Sequence, residues 1–148
     1  MAVMARQESE EATGDPSPNA SAQVRTVYLL DDHERVRVAV AELLEATHEF
    51  QVVGQAGTVA EAARDLLGRN LQADVAVFDV TLTDGDGLDL CARITEQRRD
   101  LAVVVFTARD DPETVARSEA AGARALVVKQ LRSNGLLTAL REAMAPPA

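Results

Sequence analysis

Four short apolar runs in this chain each lead into a polar residue at their C-terminal end. Val27-Tyr28-Leu29-Leu30 leads into Asp31-Asp32, and Val75-Ala76-Val77-Phe78 leads into Asp79. Leu101-Ala102-Val103-Val104-Val105-Phe106 leads into Thr107, and Ala125-Leu126-Val127-Val128 into Lys129. Continuous apolar runs of this length read as strands buried on both faces, and helical patterns lie between them. An open α/β sheet binds its ligands outside the carboxyl ends of such strands. The pattern therefore gathers three carboxylates, a hydroxyl and an ammonium along one edge of one sheet. Lys129 is the only lysine, the other 14 basic residues being arginine. A chain that uses arginine everywhere else and lysine here needs a flexible point charge at this position rather than a planar fork.

The helices follow from spacing. Val36, Val40, Leu43 and Leu44 form a stripe after the acidic pair, and Gln51-Val52-Val53-Gly54 reads as a short second strand. Thr58 is the expected N-cap of a helix carrying Val59, Ala63, Leu66 and Leu67, with Gly68 as its stop. Asp84-Gly85-Asp86-Gly87 is a turn cluster leading into a helix with Leu88, Cys91, Ile94 and Thr95. Asp111-Pro112 starts a fourth helix whose apolar face is poor, Val115 and small alanines. A last helix is expected from Ser133, burying Leu136, Leu137, Leu140 and Met144 and stopping at Pro146-Pro147. Five strands alternating with five helices give an α/β domain, a (βα)5 unit around a parallel sheet.

Charge and composition narrow the function. Aromatics are only 3% of the chain, so aliphatic side chains must build the core. The formal net charge of −9 argues against holding nucleic acid through a general field, so no direct nucleic-acid binding is expected. Residues 1–23 carry four acids against Arg6 and few large apolar side chains, and are expected to be a disordered acidic tail. The folded domain is then expected over 24–145, with 146–148 as a short C-terminal tail. Cys91 is alone, which excludes an internal disulfide and suits a reducing compartment. With no signal peptide and no 18-residue apolar stretch, a cytoplasmic protein without a membrane partner is expected.

The acidic pair after the first strand resembles the receiver domain of two-component response regulators, as do three motifs that follow it. These are Asp-Val-Thr-Leu-Thr-Asp-Gly-Asp-Gly from Asp79, Phe-Thr-Ala from Phe106 and Val-Val-Lys ending at Lys129. The resemblance covers roughly 24–145. The Leu-Asp-Asp-His-Glu start and Lys129-Gln130 end are most similar to the branch that usually carries a LuxR-type helix-turn-helix. It implies a flavodoxin-like, doubly wound sheet with strand order 2-1-3-4-5. It also implies that Asp79 takes phosphate from a histidine kinase with Mg2+ as cofactor. Asp32 and Asp79 would hold the metal directly, Asp31 mainly through water, and Thr81 through its backbone carbonyl. Lys129 would pair with one phosphoryl oxygen, and the Thr107 hydroxyl would donate to another.

Elementary electrostatics points the same way: three carboxylates cannot sit together ionised unless a cation joins them. Five positions stand out against common receiver usage. Leu126 stands where many receivers carry Tyr or Phe, Gln130 and Thr83 replace frequent prolines, and Thr81 and Arg109 flank the phosphate site. An output face, and a homodimer, are expected on the fourth helix, fifth strand and fifth helix.

Competing classes fit less well. A haloacid-dehalogenase-type phosphatase needs a second Asp two residues after the nucleophile, where Thr81 stands, so a turnover enzyme is not expected. A Rossmann-like domain lacks its Gly-x-Gly-x-x-Gly turn, and the Asp84–Gly87 cluster lacks calcium-loop spacing. Two alternatives remain: a phosphorylation-independent receiver-like binding module, and the receiver fragment of a DNA-binding transcriptional regulator. His33 and His48 read as surface groups, with no second ligand at metal-site spacing.

Overall fold

The structure is a computed structural model that describes residues 23–129 and 134–144. Five strands, β1 (Arg25–Leu30), β2 (Phe50–Ala56), β3 (Val75–Phe78), β4 (Ala102–Thr107) and β5 (Ala125–Val128), form one sheet in the order β2-β1-β3-β4-β5. Every pairing in it is parallel. The connections are α1 (Glu34–Ala46), α2 (Val59–Ala63), α3 (Gly87–Gln97) and α4 (Pro112–Ala120), and α5 (Asn134–Ala143) closes the domain. The flavodoxin-like order expected from the resemblance is the one observed.

Each inner strand feeds two cores, because successive side chains point to opposite faces. Tyr28, Leu30, Ala76, Phe78 and Val103 meet Leu66, Leu90 and Ile94 on one face. Val27, Leu29, Val77, Val104 and Phe106 meet Val40, Leu44, Leu136 and Leu140 on the other. This is why the runs through β1, β3 and β4 are apolar without alternation. The β5 run departs from that expectation: all four of its residues are only half-buried, since it lies at the sheet edge.

Several expected boundaries shift for visible reasons. The second strand is longer than Gln51–Gly54 because β1 pairs with it from Phe50 to Ala56, across an irregularity beside Val27 and Tyr28. Thr58 does cap α2, its hydroxyl accepting from the Glu61 N–H. The helix then widens over Arg64–Gly68 into a π-type turn. Buried Arg98 donates to the Leu66 and Leu71 carbonyls at 3.2 and 2.7 Å, satisfying backbone oxygens around that turn.

α4 is capped by Asp111, whose carboxylate accepts from the Thr114 N–H, with Pro112 in the first turn. Its buried residues are Thr114 and Ser118, whereas the expected Val115 is only half-buried. The helix therefore packs by a polar underside, in which Ser118 donates to the Thr114 carbonyl at 2.9 Å. In α5, Leu136 and Leu140 are fully buried and Leu137 partly so, as is Met144 just after the helix. The expected tails, the Ser133 start and Gln130 lie outside the described residues, apart from Gln23 at the domain's edge.

Candidate functional site

The carboxyl ends of the strands are locked by ladder bonds that run one residue past each strand. Asp31 N–H donates to Ala56, Asp79 N–H to Leu30, and Lys129 N–H to Thr107, at 3.1, 2.9 and 2.8 Å. These bonds fix the backbone from which three of the site's side chains project. Arg37 of α1 adds a donor to the Asp31 carbonyl at 2.5 Å.

Lys129 Nζ joins the carboxylates, donating to Asp31 Oδ2 at 2.6 Å and to Asp79 Oδ2 at 3.1 Å. Asp31 and Asp79 are both buried, and the ammonium also lies 5.7 Å from the centre of the Phe106 ring. Burial pushes the Asp79 carboxyl above the ordinary carboxylate range; Lys129 pulls it down and Asp31 pushes it up further. Burial alone would lower the Lys129 ammonium, but the hydrogen bond to Asp31 and the two negative charges raise it instead. The lysine is thus held charged. Asp79 keeps one oxygen anchored by the Val80 N–H at 2.7 Å.

Four side chains converge here: ligand atoms of Asp31, Asp32, His33 and Asp79 all lie within 4.8 Å of one another. Asp32 Oδ1 is a buried oxygen with no hydrogen-bond partner, although His33 Nδ1 lies 2.9 Å away. An orphaned buried carboxylate oxygen beside two other acids is what a hard divalent cation satisfies. The residues present fit such an ion.

Thr107 ends β4, fully buried, and its hydroxyl accepts from the Arg109 N–H at 3.2 Å. Thr81 lies two residues past Asp79, in a short antiparallel hairpin that pairs Thr81–Leu82 with Gly85–Asp86. The turn cluster does two jobs at the ends of that hairpin. Asp84 accepts from the Val59 and Ala60 N–H groups, capping α2 from outside, and Asp86 caps α3 through the Leu88 N–H. Gly87 is required where α3 leaves the loop, since a Cβ there would lie 1.9 Å from the Asp79 carbonyl oxygen. Leu126 turns inward, half-buried against Val80, Leu88 and Val105.

His33 is a surface group that also touches the acidic pair. Its ring is exposed, as expected of a surface group, but Nδ1 contacts Asp31 Oδ1 at 3.3 Å as well as Asp32. The missed signal was its position: a residue directly after an acidic pair at a strand end emerges beside that pair. His48 is exposed, as expected, with a left-handed backbone at φ 60°.

The family model of the response regulator receiver domain matches residues 27–141. The chain belongs to that family. The transcriptional activator DevR/DosR of Mycobacterium tuberculosis is 41% identical over 117 residues, which are 78% of this chain and 52% of that protein. A LuxR-family response regulator from Aurantimonas sp. SI85-9A1 is 25% identical, with a TM-score of 0.76 over 82% of this chain and 86% of that one. The BeF3-activated DrrB receiver domain is 26% identical, with a TM-score of 0.70 over 82% of this chain and 98% of that one. This receiver chain spans about half the length of the curated relatives it matches. Among its described residues, no helix is long and apolar enough to cross a membrane.

Proposed function

We propose that Asp79 accepts a phosphoryl group from a histidine kinase and that the resulting charge switches protein association. The observation that carries this is the Lys129 ammonium held between Asp31 and Asp79 at the end of the central strands. A carboxylate oxygen of Asp79 attacks phosphorus, the phosphorus–nitrogen bond of the donor phosphohistidine breaks, and the departing imidazole takes up a proton. Lys129 then shifts from carboxylate to phosphoryl oxygen, and the Thr107 hydroxyl donates to a second one.

Asp31, Asp32, Asp79 and the Thr81 carbonyl would hold Mg2+, which when bound neutralises the phosphoryl oxygens. The chain's own residues position the nucleophile: the Val80 N–H fixes one Asp79 oxygen, and the ladder bond to Leu30 fixes its backbone. DrrB, a related receiver, is described in a BeF3-activated form, which supports a phosphoryl-like group at this site.

The output face of the proposal is α4, β5 and α5, including association of two copies. Thr107 at the end of β4 and the inward Leu126 of β5 link it to the site. Without an aromatic at position 126, that coupling runs through repacking of Leu126 against Val80, Leu88 and Val105 rather than through ring rotation. An aspartyl phosphate adds charge and strong acceptors, enough to bias the 108–111 loop.

Intact-protein mass measured with Mg2+ and acetyl phosphate tests the reading, with Asp79→Asn alongside. A gain of one phosphate in the wild type alone supports it. No gain in either protein, with beryllofluoride also failing to bind, would favour a phosphorylation-independent binding module.

A further inference from the structure

We infer that Phe106 is a positioning residue for Lys129, its ring forming the surface across which the lysine reaches the phosphoryl group. This deepens the proposed function and rests on that reading. The lysine has a long way to go. β4 separates β5 from β3, and β1 lies beyond β3. With neighbouring strands about 4.8 Å apart, β3 is about 10 Å from β5 and β1 about 14 Å. Lys129 nevertheless bonds to Asp79, which follows β3, and to Asp31, which follows β1. Its stem must therefore pass over the end of β4.

An aromatic ring stands at that crossing. Phe106 pairs with Val127 in the ladder between β4 and β5, and the Lys129 N–H carries the ladder on to the Thr107 carbonyl. Alternation along β5 then puts Lys129 on the face of Val127, the face on which Phe106 packs. Two residues past the direct partner, Lys129 is the diagonal neighbour of Phe106, a separation that a long side chain and a ring can bridge. The ammonium accordingly lies over the ring, 5.7 Å from its centre.

Phe106 is buried and only a fifth of the Lys129 side chain is open to solvent, so the negative ring face attracts the charge with most of the water removed. The hydrogen bonds to Asp31 and Asp79 have to be exchanged when the lysine turns to a phosphoryl oxygen. The ring contact does not, because it depends on distance from the ring face and not on the aim of one N–H. Its attraction therefore counts for more during transfer than in the resting site, which is the condition for it to affect the rate. A leucine at this position would lack the π face. It would also enlarge the cavity of about 10 Å3 that the ring bounds together with Asp31 and Asp79.

The experiment uses the whole chain as wild type, as Phe106→Leu, and with pentafluorophenylalanine at position 106, which keeps the ring's shape but reverses the charge on its face. Lysine labelled at its ε-carbon gives a single side-chain resonance, since Lys129 is the only lysine. In the wild type, without phosphodonor, its ε protons are expected upfield of a free lysine's, and in Phe106→Leu they should return toward that position. Phosphorylation by acetyl phosphate should slow about three- to ten-fold in the fluorinated protein. Fluorination should also lower the folding equilibrium constant when Lys129 is present and leave it unchanged in Lys129→Met. A wild-type resonance at the free-lysine position, an unchanged rate in the fluorinated protein, or an equal cost of fluorination in both backgrounds would each overturn the inference. A wild type that takes no phosphate would count against the proposed function, and the lysine resonance and the two-background comparison would then decide the role of Phe106 by themselves.

Discussion

Replacing Lys129 with methionine keeps the length of the side chain and removes its charge. Two buried carboxylates then face each other without the ammonium that now sits 2.6 and 3.1 Å from them. At an effective dielectric near 20 the two attractions are worth about 6 and about 5 kcal/mol before desolvation is counted. Most of that is offset by the cost of burying three charges, and losing one partner of a buried pair costs about 3–5 kcal/mol net. A fifth of the Lys129 side chain is open to solvent, which favours the lower end, about 3 kcal/mol.

The pH dependence has a definite sign. Lys129 is the group that lowers the Asp79 carboxyl, so its loss raises that group further above the 3.8 of a free carboxylate. A carboxyl raised in the folded state costs nothing below its unfolded value. It costs progressively more as pH rises through the folded one. The Lys129→Met penalty should therefore be small in acid, full at neutral pH, and partly relieved by added Mg2+. Urea unfolding followed by far-ultraviolet circular dichroism is the assay, as the chain has no tryptophan. A loss under about 1 kcal/mol at neutral pH, or a penalty growing toward acid, would refute the buried-charge reasoning.

Gly87→Ala should destabilise by about 3 kcal/mol or more, above ordinary overpacking, because the Cβ would meet backbone atoms of Asp79 and Val80 that cannot swing aside. A urea midpoint close to wild type would contradict so close an approach of α3 to the site. Asp84 and Asp100 are held below the usual carboxylate range, by the Val59 and Ala60 N–H groups and by Arg98 respectively. Their contribution is present above the unfolded value of 3.8 and fades as pH falls through the folded ones, so Asp84→Asn should flatten the acid side of a melting-temperature profile. Arg117→Ala removes the 2.8 Å link between α4 and Asp86, a solvent-screened pair of little weight in global stability. Global stability should barely move, while amide exchange across Pro112–Ala120 should quicken; unchanged exchange would mean that the pair does not restrain α4.

The parts of this fold legible in the sequence are those governed by local rules. Four unbroken apolar runs marked the strands, three of them buried on both faces, and the residue after each run marked the edge where these polar side chains stand. Thr58 and Asp111 could be read as caps because an N-cap acts within three residues of itself. What escaped depended on distant partners. Asp84 caps a helix 25 residues earlier in the chain, which no spacing rule anticipates. The widened turn after Ala63 and its buried partner Arg98 meet only in three dimensions. Val115 carried the apolar signal on the fourth helix, yet Thr114 and Ser118 are the residues turned inward, because their hydroxyls are satisfied within the helix's own first turns. His33 is the surface group expected of it, and what escaped was its contact with the two acids beside it. Strand order came from the family resemblance, since periodicity carries no information about which strands are neighbours.

The central claim is that Asp79 is the residue that takes the phosphoryl group. Its most direct test is borohydride reduction of the protein after incubation with acetyl phosphate and Mg2+, followed by peptide mass analysis. An acyl phosphate is reduced to the alcohol, so phosphorylation at this position converts Asp79 to homoserine in the recovered peptide. The account predicts that conversion at residue 79, dependent on phosphodonor and lost in Lys129→Met. Reduction at Asp31, Asp32 or another carboxylate, or none at all in the wild type, would contradict it.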